Sequence, residues 1–191
     1  TIIALNEVAM LVPAIGTLYL MSRFVDHRAL STFGFGFLPQ WRRDLITGLA
    51  LAGMMVVVLV LGCYALGFVK IGWTGGQAPV LTLIATALVL LVAAATEELM
   101  FRSFPLQVLS EGLGTWPAMI VMSGLFGLVH SRNPGISPLA IVNTILAGIL
   151  LSVAYMKTRS LWLPYSIHVG WNLGLGFIFG FPLSGIDLAS L

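Results

Sequence analysis

Six long apolar runs, at about residues 4–22, 45–69, 79–102, 115–131, 138–157 and 161–181, decide the solvent in which this chain folds. Each is close to the roughly 20 residues a helix needs to cross a bilayer. A chain of 191 residues that is 59% hydrophobic, only 8% charged and has a mean hydropathy of +1.03 cannot hide that surface in a water-soluble core. Period-two alternation is absent, which argues against a barrel. The expected fold class is all-α, a polytopic membrane helix bundle of about six transmembrane helices in a single transmembrane domain over residues 1–191. The expected location is the cell membrane, crossed several times, with the lipid bilayer as a partner.

Charge narrows the function classes. The net charge is +2 and the pI near 9.0, but the nine basic residues come in ones and twos across short connections. That is the pattern of membrane-flanking loops, and no nucleic-acid partner is expected. Cys63 is the only cysteine, so neither an intrachain disulfide nor a cysteine metal cluster is available. The first run carries Asn6 and Glu7 and lacks a basic lead-in, unlike a cleaved signal peptide. The chain begins at Thr1 and not at Met, which is compatible with an upstream piece.

The connections set an orientation. The first, Ser22 to Asp44, holds Arg23, Arg28, Arg42 and Arg43 with Phe33, Phe35, Phe37 and Trp41, and reads as a basic amphipathic stretch at the interface. Lys70 to Ala78 holds a Gly-Trp-Thr-Gly-Gly turn, and Gly112-Leu113-Gly114 is a helix stop. With the first connection in the cytoplasm, Arg102, Lys157 and Arg159 also fall inside, and Lys70 and Arg132 outside. Gly170, Gly174, Gly176 and Gly180 give the last run spacings that permit close helix contact. Trp41, Trp73, Trp116 and Trp162 fall near run ends, as interface anchors do.

Polar residues within these runs are costly and mark function by default. Glu97 and Glu98 end the third run and point about 100° apart on a helix. Arg102 lies four residues after Glu98, in the acid-before-base order that pairs best, which leaves Glu97 free. His130 closes the fourth run; His168 and Asn172, four apart, share a face of the sixth. Glu97 lies sixteen residues before Leu113 and His130 seventeen after it, so a reversal near Gly114 returns both to one height. His168 is only eight residues past the Lys157–Ser160 turn. One shared site therefore requires the Ser103–Gly114 connection to project as extra helix, so helix is expected over Leu106 to Glu111. Asn143 and Thr144 are expected to hydrogen-bond a neighbouring helix, and Trp171, beside Asn172, can line the cavity.

The stretches Glu97-Glu98-Leu99-Met100-Phe101-Arg102, Phe126-Gly127-Leu128-Val129-His130 and His168-Val169-Gly170-Trp171-Asn172 resemble the three motifs of the CPBP/ABI intramembrane proteases. Those motifs are Glu-Glu-x-x-x-Arg, Phe-x-x-x-His and His-x-x-x-Asn, in that order. The family includes the CAAX-processing endoprotease of prenylated proteins and bacterial homologues tied to bacteriocin self-immunity. The resemblance covers about residues 79–181, the expected catalytic core. It implies an intramembrane endopeptidase acting on a peptide or protein substrate, with or without a lipid group.

In that reading Glu97 activates a water, His130 positions it or assists proton transfer, and His168 with Asn172 polarises the carbonyl and stabilises the oxyanion. Glu98 holds Arg102, and Arg102 and Phe126 give structural support. The family has been described both as metalloproteases and as metal-independent glutamate proteases. If zinc is used, Glu97, His130 and His168 are its expected ligands. Asn172 favours the metal-independent route, because Asn is a poor zinc ligand and a good oxyanion donor. The competing readings are a small proton-coupled transporter using Glu97 and the histidines as a relay, and a non-catalytic peptide-immunity or scaffold protein.

Overall fold

The computed structural model describes residues 2–34, 36–72, 79–133 and 135–183, with side chains from residue 9 onward. Trp73 and most of the Lys70–Ala78 connection lie outside the described residues. The helices are α1 (Ile2–Leu20), α2 (Trp41–Ala65), α3 (Val80–Phe101), α4 (Phe104–Leu113), α5 (Thr115–His130), α6 (Pro138–Thr158) and α7 (Trp162–Asn172). A π-helical turn, Met21–Val25, continues α1, and another, Leu173–Ile178, continues α7. Among the described residues the protein is all-helical. Trp41–Ala65, the Val80–Leu113 arm and Pro138–Thr158 are long and apolar enough to cross a membrane, and Ala9–Val25 and Thr115–His130 are shorter apolar helices. Met54, Val58 and Leu61 of α2 are each more than half exposed, an apolar face suited to lipid.

The bundle is held by small residues set against one another. On α2, Gly48, Ala52, Val56 and Val60 recur every fourth position and are buried. They meet Ser166 and Gly170 of α7 and Gly174 of the π-helical turn that continues it, so α2 and α7 run parallel in close contact. A Cβ on Gly170 would stand 2.7 Å from Ala52, and one on Gly174 2.8 Å from Val56. The Ser166 hydroxyl donates to the carbonyl of Asp44 at 3.3 Å, closing the end of this seam. Antiparallel α5 and α6 pack the same way, Gly148 lying against Ser123 and Gly127 against Ile145.

Two junctions position the site. α3 ends at Phe101 and α4 starts at Phe104, with Pro105 in its first turn where its missing N–H is harmless. The expected helix over Leu106–Glu111 is present as α4. Gly114 alone joins α4 to α5 at φ +86°, a value glycine adopts without strain. The reversal thus sits where the spacing argument requires it.

The first connection is folded into the protein, where the sequence reads as a stretch lying at the interface. Phe33 is wholly buried and meets Phe104 edge-on at 5.3 Å. Buried Gln107 donates to the Thr32 carbonyl at 2.8 Å and to the Tyr155 hydroxyl. The Trp162 indole donates to the Gly36 carbonyl at 3.1 Å. Arg28 grips Glu111 with two hydrogen bonds, at 2.6 and 2.9 Å, which hold its guanidinium above the ordinary pKa. Buried donors and acceptors found partners in α4 and α7, and that outweighed the amphipathic pattern.

Two smaller expectations fail. Asn143 is exposed, and Thr144 hydrogen-bonds its own helix at Ala140. Trp171 packs against Val56, Val60 and Leu175. Both follow from the α7 face turned to α2 and the α6 face turned outward.

Candidate active site

α3, α5 and α7 bring Glu97, Glu98, His130 and His168 to one place. Glu98 is completely buried and Arg102 is 1% exposed, and they pair at 3.1 Å through Glu98 Oε1 and Arg102 Nη1, one helical turn apart. The same Glu98 Oε1 lies 2.9 Å from His168 Nδ1. Glu98 therefore joins α3 to α7 as well as holding Arg102. Glu97, on the adjacent face, has the carboxylate that the pairing of Glu98 leaves free. Its Oε2 is buried, has no hydrogen-bond partner, and lies 3.7 Å from both His130 Nε2 and His168 Nε2.

Hydrogen-bonding rules assign the ring protons. His130 Nδ1 is 2.7 Å from the Phe126 carbonyl, which only accepts, so Nδ1 carries a hydrogen. His168 Nδ1 faces a carboxylate oxygen and likewise donates. In each neutral ring the Nε2 lone pair therefore points at Glu97. Three acceptors converge at separations too long for direct hydrogen bonds. A water there could donate to Glu97 Oε2 and one imidazole, or accept from a ring that carries a second proton.

Phe126, 3% exposed, lies under the cluster. Its ring centroid is 4.5 Å from that of His130 and 6.3 Å from that of His168, and Phe101 meets it edge-on at 5.1 Å. The Arg102 guanidinium carbon stands 4.1 Å from the centroid, within cation–π range. Asn172 ends α7 one turn beyond His168, is half-buried, and has no hydrogen-bond partner among the described residues. Its amide is a donor whatever the protonation of the rings.

As for metal, the expected zinc donors Glu97, His130 and His168 do gather. Among the described residues, however, no three His, Cys, Asp or Glu side chains are arranged to hold a metal ion.

A family model described as type II CAAX prenyl endopeptidase Rce1-like matches residues 79–174. The chain belongs to this family. The match begins at the residue before α3 and ends just past Asn172, so it spans all three polar stretches. No curated protein and no solved structure matches the chain. As a member of the CAAX prenyl endopeptidase family with helices suited to a bilayer, it is a membrane protein of the protease class that acts on protein or peptide substrates.

Sequence reasoning missed two contacts, Glu98 with His168 and Phe126 with Arg102. The second joins the end of α3 to α5, and spacing within α5 gives no sign of it. The first joins residues 70 apart on different helices and leaves no trace in spacing.

Proposed function

We propose that the protein is a metal-independent intramembrane endopeptidase, resident in the cell membrane, that hydrolyses a peptide bond with a water activated by Glu97. The observation that carries this reading is the buried, unpartnered Glu97 Oε2 held 3.7 Å from two imidazole nitrogens. A carboxylate so placed is free to take the proton of an entering water.

Glu97 removes a proton from the water as its oxygen attacks the scissile carbonyl carbon. The carbonyl electron pair moves onto oxygen, where the Asn172 amide donates to it. His168 joins as a donor from Nε2 when its ring carries a second proton. The carbon–nitrogen bond then breaks, and the proton held by Glu97, passed directly or through His130, leaves with the amine. The products are a carboxylate and an amine. Glu98 keeps His168 in the required tautomer. A lipidated substrate fits the family, with its hydrocarbon portion remaining in the bilayer.

The test is incubation of the purified protein, in detergent or nanodiscs, with a peptide library in 18O-labelled water, followed by mass spectrometry. The reading expects paired fragments with the label in the new carboxyl group. A transporter or scaffold would give no fragments, and that result would overturn it.

A further inference from the structure

We infer that Phe126 is a positioning residue that sets both imidazoles at once, acting on His130 directly and on His168 through Arg102 and Glu98; this rests on the proposed hydrolytic function. Arg102 is buried, yet its Nε and Nη2 have no hydrogen-bond partner. Leaving guanidinium N–H groups unmade in a poorly solvated interior is expensive. What they have is aromatic surface, chiefly the face of Phe126, 4.1 Å from guanidinium carbon to centroid, with Phe101 farther off at 5.8 Å. The negative face of an aromatic ring attracts a desolvated cation and fixes its plane.

That plane matters because of what Arg102 holds. Its Nη1 donates to Glu98 Oε1 at 3.1 Å, and that oxygen also receives His168 Nδ1 at 2.9 Å. The second oxygen of Glu98, Oε2, is buried without a partner. An Arg102 released from the ring has that vacant acceptor to turn to. The carboxylate would rotate with it, and His168 would lose its register against Glu97. On the other side, the Phe126 carbonyl takes the His130 Nδ1 hydrogen at 2.7 Å and its ring lies 4.5 Å from the imidazole. A packing residue needs only volume. Phe126 also needs an electron-rich face.

Replacing Phe126 with phenylalanines bearing increasing ring fluorination keeps shape nearly constant while draining that face. In the full-length protein, kcat for a cleaved peptide should fall stepwise with fluorination, reaching about 100-fold, while KM stays constant. Phe126→Leu should show the same split at the extreme. Phe126 also meets His168 directly, edge-on at 6.3 Å; nitrogen-15 spectra of histidine-labelled protein, which need no substrate, should therefore show the His168 ring nitrogens shifting along the series, with most of that shift lost when Glu98→Leu and Arg102→Met are also present. Unchanged kcat together with unchanged His168 resonances would overturn the inference. Should the unmodified protein cleave no peptide, the proposed function falls while the resonances still decide the positioning role.

Discussion

His168 and Glu98 are hydrogen-bonded at 2.9 Å across two helices, and the Glu98 oxygen involved is the one Arg102 also uses. A fully buried carboxylate thus serves two donors from one atom. The sequence motif presents Glu98 and Arg102 as a local salt bridge, but the more consequential bond is the one to α7. It fixes which His168 nitrogen faces Glu97.

This relationship separates structure from chemistry. Glu98→Gln removes the charge that balances buried Arg102 and should cost about 3–5 kcal/mol of stability, read by thermal unfolding in detergent. Replacing both partners with apolar residues, as in Glu98→Leu with Arg102→Met, should recover much of that loss, because no unpaired charge remains. Cleavage should not recover, since His168 has lost its acceptor. Recovery of activity in the double variant would show that the Glu98–His168 bond is dispensable.

The proposed mechanism gives the oxyanion to Asn172, whose amide donates in every protonation state of the site. Asn172→Ala should lower kcat by about 10²–10³-fold with little change in KM. An effect confined to KM would make it a binding residue. Asn172→Asp, which keeps size but loses the donor, should be at least as damaging.

The helical architecture was legible in the sequence because lipid imposes one solution on apolar runs of this length. The Gly114 reversal and α4 were legible too, since helix rise converts residue counts into height. The connection containing Phe33 was not. Its aromatic and basic residues match an interfacial stretch equally well, and the partners that draw it inward, among them Phe104, Gln107, Glu111 and the Trp162 indole, are all distant in sequence. For the candidate site, the pairing of Glu98 with Arg102 follows from spacing within one helix. Convergence of Glu97 with His130 and His168 depends on how three helices pack, which spacing constrains in height but not in azimuth.

Close helix contact supports the site from behind. Gly170 lies two residues from His168 and against Ala52, so Gly170→Val should cost about 1–3 kcal/mol by overpacking. Gly53, one residue from Ala52 but with open space at its Cβ position, should accept Ala without loss. Equal thermal stability of Gly170→Val and wild type would show that α2 and α7 can separate freely.

The role of metal has a direct test. Prolonged chelation followed by gel filtration should leave the cleavage rate unchanged if Glu97 and water suffice. Loss of activity restored by zinc would assign Glu97, His130 and His168 as ligands after movement from their present spacing.

The central claim is that the Glu97 carboxylate makes water a nucleophile. It is tested most directly by kcat for Glu97→Gln, a change of charge at nearly constant volume, in protein whose thermal unfolding matches wild type. The account predicts a fall of at least about 10²–10⁴-fold, the usual contribution of a general base. A well-folded Glu97→Gln enzyme turning over at the wild-type rate would contradict it.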